Sequence, residues 1–227
     1  MGRALTLLLV VATAVATGCT STSSPPPAPV PPPALHSDAD QRVAEQALPT
    51  LADLGDGYAT SPFTPSADSR VEDATLSSCL GRPPTVEHET ARTFSPQFTA
   101  GDDRIVLAGI TFVDTLETAR ADLAALDDEP RAAPCLRDSL ARQLDAAGGR
   151  ADDVTVTRIR PAPGGDDVVA YRLVVQSGPL PVVVDLISAL VGRAEVSISF
   201  QDPAHPVPAD LQDRVVRACL DRLAAAG

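Results

Sequence analysis

The last third of the chain sets the tightest constraint on its fold. Segments 154–160, 168–176, 181–189 and 194–201 are rich in Val, Ile and Leu and have the length of strands. Turn signals separate them: Pro163-Gly164-Gly165-Asp166, Ser177-Gly178-Pro179 and Val191-Gly192-Arg193. Connections this short cannot return a chain to a parallel start, so neighbouring strands must run antiparallel. A helix is predicted over 209–225. There Leu211, Val215, Ala218, Cys219 and Leu223 share a stripe fit to cover a sheet face.

Upstream the pattern alternates between helices and strands. Ser37-Asp38 is a good N-cap for a helix over 39–48, and 51–58 reads as a turn leading into an extended piece. A short helix is expected over 71–80, ended by Gly81 and Pro83. Strands are expected over 89–94 and 104–113. Asp114 then caps a helix to about Asp127, with Leu116, Ala119, Leu123 and Leu126 at helical spacing. A further helix follows Pro134, with Leu136, Leu140 and Leu144 on one face. Strands with helices gathered between and after them define an α+β fold, a twisted antiparallel sheet packed by helices in a single domain.

The N-terminus carries an address. Arg3 precedes the apolar run 5–12, and small residues lead to Cys19. That run is too short to span a bilayer comfortably and has the form of an export signal. Small residues directly before a cysteine make a bacterial lipobox, although Ala16 stands where Leu is usual. Residues 1–18 are therefore expected to be a lipoprotein signal peptide, with Cys19 the lipidated residue. The Ser/Thr and Pro stretch that follows cannot build a core and reads as a stiff tether. The expected division is a leader at 1–18, lipidated Cys and linker at 19–37, and a soluble domain at 38–227. The expected location is the outer face of the cytoplasmic membrane.

Composition narrows the partners. All the basic residues are Arg, and Lys and Asn are absent, a bias that points to a high-GC genome such as an actinobacterium's. The net charge of −12 and the lack of a basic run argue against nucleic acid. It also leaves membrane attachment to the lipid anchor.

Beyond Cys19, three cysteines remain: Cys79, Cys135 and Cys219. Cys219 falls on the apolar stripe of the last helix and reads as a core thiol. Cys79 and Cys135 are the favoured disulfide, with pairings through Cys219 as rivals.

No catalytic constellation stands out. Ser appears in no nucleophile elbow, and no Cys or His spacing suits a metal. In Glu87-His88-Glu89, strand alternation would turn the acids away from the His. No cofactor is expected. Asp185 is the residue set apart, because it interrupts the apolar run 182–187. It faces solvent, or it faces a cleft and pairs with Arg172 or Arg193, which would make these three weak ligand-binding candidates.

Three stretches carry a resemblance. They are Ala47-Leu48-Pro49-Thr50-Leu51-Ala52-Asp53-Leu54 with Gly57-Tyr58, then Ile110-Thr111-Phe112-Val113 with Thr118-Ala119-Arg120-Ala121 ahead of Cys135-Leu136, and 182–186 with Gly192-Arg193-Ala194. Over most of 40–227 the chain resembles actinobacterial envelope lipoproteins of the sensor-like type. In outline it is similar to the PknH extracellular sensor domain family. The resemblance implies an α+β domain with an antiparallel sheet, a cleft and disulfides, in a role of binding or sensing at the envelope. The partner would be a small molecule, a lipid or an envelope protein. The chain departs from the kinase-linked group in having no kinase portion, no Trp and fewer cysteines.

Overall fold

The computed structural model describes residues 35–65, 69–101, 103–146, 153–161, 167–176 and 181–226. The leader, Cys19 and most of the tether lie outside the described residues, as do the predicted turns at 163–166 and 177–179.

The strands are β1 (Tyr58–Ser61), β2 (Glu89–Phe94), β3 (Gln97–Ala100), β4 (Arg104–Val113), β5 (Asp153–Ile159), β6 (Val168–Gln176), β7 (Pro181–Val191) and β8 (Ala194–Pro203). They form one eight-stranded sheet in the order β1-β3-β4-β8-β7-β6-β5, with β2 also pairing β4. Every pairing is antiparallel. The four strands expected in the last third are β5 to β8, each beside its neighbour in sequence. The helices are α1 (Asp38–Ala47), α2 (Leu51–Leu54), α3 (Ser69–Leu80), α4 (Leu116–Asp127), α5 (Glu129–Ala146) and α6 (Ala209–Ala226). The expected α+β class and antiparallel sheet are therefore what the chain forms.

Helices cover both faces of the sheet. On one face α1, α2 and α6 pack over Phe98, Val106, Ile110, Val196, Ile198 and Phe200, with Val215, Val216 and Cys219 facing them from α6. Two α6 arginines fasten the opening helices. Arg222 donates to the Leu48 carbonyl and pairs with Asp53, and Arg214 donates to the Leu54 carbonyl. The second core lies on the opposite face, where α3, α4 and α5 cover Tyr171, Leu173, Val175 and Val184 of β6 and β7.

The Cys79–Cys135 disulfide joins α3 to α5 across a Cα separation of 5.8 Å. Cys219 is a buried free thiol, and burial pushes its pKa up to about 12.

Several local expectations shift. Residues 51–54 form one helical turn rather than an open turn, because Thr50 and Asp53 close a reciprocal capping box. The cap of α4 is Thr115, whose hydroxyl accepts the Thr118 N–H, while Asp114 accepts from the Thr118 hydroxyl. Helix α5 begins at Glu129 and carries Pro134 inside it. Pro130 suits the first turn, and the N–H that Pro134 lacks would have bonded the carbonyl of Pro130. Glu87 ends a 3-10 turn (Thr85–Glu87), and the strand starts only at Glu89. Alternation therefore does not govern that triplet. His88 pairs with Asp114 at 3.4 Å, and Glu89 turns inward beside Arg92.

Candidate functional site

Strand β8 lies at the centre of the site. Its stretch Ala194-Glu195-Val196-Ser197-Ile198-Ser199-Phe200 alternates strictly, so one edge of every second residue faces each side of the sheet. Register places three rungs on the side facing α3 to α5: Thr111–Glu195–Leu190, Gly109–Ser197–Ser188 and Leu107–Ser199–Leu186, drawn from β4, β8 and β7 in turn. On the reverse side the intervening rungs are Ile110–Val196–Ala189, Ala108–Ile198–Ile187 and Val106–Phe200–Asp185. One face is therefore apolar save for Asp185. The other has a polar stripe along its middle strand.

The helices do not seal that polar stripe. A cavity of about 340 Å³ stands over it, walled by Leu76 of α3, Leu123 and Leu126 of α4, and Phe94 of β2. Ser197, one of its lining residues, is exposed. Gly109 shapes one wall. A Cβ there would stand 3.0 Å from the Phe94 ring, so only glycine leaves that ring its place against β4.

One end of the cavity holds a buried charge cluster. Arg82 reaches it from the end of α3. Gly81, at φ +75°, takes the left-handed conformation, and the Arg82 N–H returns to the Ser77 carbonyl while the Gly81 N–H bonds that of Ser78. These are the two bonds of a Schellman cap, which aims the next residue back toward the sheet. The Arg82 guanidinium lies 2.6 Å from Asp122 of α4 and donates to Thr85 at 2.9 Å. Arg92 of β2 lies 2.9 Å from Glu89 and 3.9 Å from Asp73 of α3. Glu195 completes the group. Burial, with the Asp122 carboxylate beside it, pushes its carboxyl pKa up to about 8.

This cluster is under-satisfied. Among the described residues, Glu195 Oε1, Asp73 Oδ2 and the Nε atoms of Arg82 and Arg92 are buried without a hydrogen-bond partner. Arg92 Nε and Glu89 Oε2, which likewise has no hydrogen-bond partner, lie 2.9 Å apart as an ion pair. Buried polar atoms without partners are few in folded proteins and call for an explanation. Here they gather at one end of a cavity. The described residues contain no group of three or more His, Cys, Asp or Glu side chains able to hold a metal.

The residues singled out from sequence lie elsewhere. Asp185 is neither at solvent nor in the cavity. It is fully buried beneath α6, on the apolar face. Both its oxygens take bonds from Arg172, directly across on β6, and Gln212 of α6 donates a third at 2.7 Å. Arg193 is separate from both. It pairs with Asp40, donates to the Val113 carbonyl and lies 5.8 Å over the Phe112 ring. The pairing with Arg172 holds, and these groups engage one another.

Asp122 and Glu195 escaped the sequence reading for identifiable reasons. Asp122 occupies the stripe 119, 122, 123, 126 on α4, and an acid on an apolar stripe was its available signal. Leu116, expected on that stripe, is instead exposed. Glu195 reads as the solvent side of an alternating strand, and nothing local reports that helices arch over it.

Comparison with protein-family models and with curated proteins finds no match to this chain.

Proposed function

We propose that this chain is a membrane-anchored extracytoplasmic lipoprotein whose domain binds a small ligand, in the manner of a sensor or carrier at the cell envelope. The cavity over β8 carries this reading. It combines a polar stripe, apolar walls and unpartnered buried polar atoms, which is the make-up of a small-molecule site. The lipobox at Cys19 and the proline-rich tether supply the address. Among the described residues no helix is long and apolar enough to cross a membrane. The anchor in this reading is the lipid on Cys19.

Native mass spectrometry of the exported chain, kept non-reduced, tests the ligand. An added mass that leaves on denaturation supports a carried ligand. Membrane fractionation of Cys19→Ala tests the anchor, with release of the variant expected. A second reading, an enzyme acting on cell-wall or lipid substrates, rests on the raised pKa of Glu195 beside Asp122, which suits a general acid. Turnover of envelope substrates lost in Glu195→Gln would favour it over binding alone.

A further inference from the structure

The chemistry of the cavity narrows the ligand, granted the binding role proposed above. Its lining holds the carboxyls Asp73, Asp122 and Glu195 against the guanidiniums Arg82 and Arg92. Glu89 adds a further buried acid behind Arg92. With Glu195 protonated, the carboxylates Asp73, Asp122 and Glu89 exceed the guanidiniums Arg82 and Arg92 by one negative charge, and an anionic head would add to that excess. A cationic head would balance it, and burial strengthens that preference because the surrounding dielectric is low.

The walls narrow it further. Leu76, Leu123, Leu126, Leu186 and Leu190 are aliphatic, and Phe94 is the single aromatic among the lining residues. Quaternary ammonium groups are held by cages of several aromatic faces, and no such cage lines this cavity. The unpartnered acceptors Glu195 Oε1 and Asp73 Oδ2 call for an N–H or O–H donor, which a primary amine has and a quaternary ammonium lacks. The volume of about 340 Å³ lies at the low end for small-ligand sites, about 300–1,000 Å³, so the apolar body is short.

We propose that the cavity takes a small amphiphile with a protonated primary amine head and a short aliphatic body, the amine seated at Glu195 Oε1 among Asp73 and Asp122. Seating the cation ionises Glu195, which gives up its proton to solvent. The proposal thus includes one proton released per amine bound. The groups that face Glu195 and set this exchange are Asp122 on α4, Arg82 after α3 and Arg92 on β2.

Isothermal titration of the exported chain in zwitterionic lipid nanodiscs, with empty nanodiscs as the blank, decides it. The probes are octylamine, octanol, octanoate and octyltrimethylammonium. Octylamine is expected to bind about tenfold or more tighter than the other three, the scale of a charge-assisted hydrogen bond. Glu195→Gln is expected to abolish that preference and keep octanol binding, which also reports that the cavity is intact. Equal binding of the four probes, or octylamine bound as tightly by Glu195→Gln as by the natural chain, overturns the amine assignment and leaves the cavity a ligand site. No binding of any probe overturns the assignment together with the binding reading beneath it.

Discussion

Two acids on opposite faces of one hairpin meet opposite fates. Asp185 of β7 is completely buried, yet Arg172 and Gln212 give it three hydrogen bonds. Glu195 of β8 is a few residues along the same ribbon, with an oxygen that no protein donor reaches. The first acid belongs to a face closed by α6, where a cross-strand partner is built in. The second belongs to a face that α3, α4 and α5 only partly cover. Full satisfaction marks a structural ion pair. Incomplete satisfaction beside a cavity marks a place where something else completes the bonding.

The cavity face is stapled by Cys79–Cys135, whose residues are 56 apart in sequence, and the α6 face has no such staple among the described residues. Replacing both cysteines by Ser should cost about 4 kcal/mol of stability in urea unfolding, by the loop-entropy relation. Hydrogen exchange should quicken in α3 and α5 ahead of α6.

Asp185→Ala comes next, at about 3 kcal/mol, because Arg172 and Gln212 lose their acceptor in a buried setting. Amine binding at the cavity should survive in the folded variant. A loss of binding without a loss of stability would erase the distinction between the two acids.

Glu195 predicts a pH effect of defined sign. Its pKa is raised from near 4.5 to about 8, so between those values the folded chain holds a proton that the unfolded chain has shed. Stability should therefore be greatest on the acid side of that window, fall as pH rises through it, and level off above about 8. The effect is on the order of 2 kcal/mol once the water that reaches an open cavity is allowed for. Glu195→Gln should flatten that slope in urea unfolding across the range.

Gly81→Ala is the smallest change, about 1 kcal/mol, from forcing a side chain into the left-handed region. The added Cβ also meets the Arg131 guanidinium at 2.8 Å, which a flexible side chain can relieve. Its sharper readout is the cavity. Displacing the Schellman cap moves Arg82, so octylamine affinity should change more than the loss of stability implies.

Much of this framework was legible in the sequence, for physical reasons. Apolar segments of strand length between short turn signals announced β5 to β8, and the α6 stripe announced the helix that closes the apolar face. Strand β3 was not legible, because four residues after Ser95-Pro96 are too few to show a period. The start of α5 was misplaced because Pro134 looks like a beginning, and the earlier Pro130 takes that role. The site was the least legible part. Asp185 stands out because it breaks an apolar run, yet its partners lie across a strand and on a distant helix. Glu195 keeps a perfect alternation and so attracts no notice. Its environment depends on Arg82, Arg92 and Asp122 arriving from three other elements, which no window of sequence contains.

The most direct test is a carbon-13 NMR titration of the Glu195 side-chain carboxyl in the intact chain, with and without octylamine. The midpoint is expected near pH 8 without ligand, and with octylamine the carboxylate is expected to be already formed at neutral pH. A midpoint near 4.5, unmoved by octylamine, would contradict it.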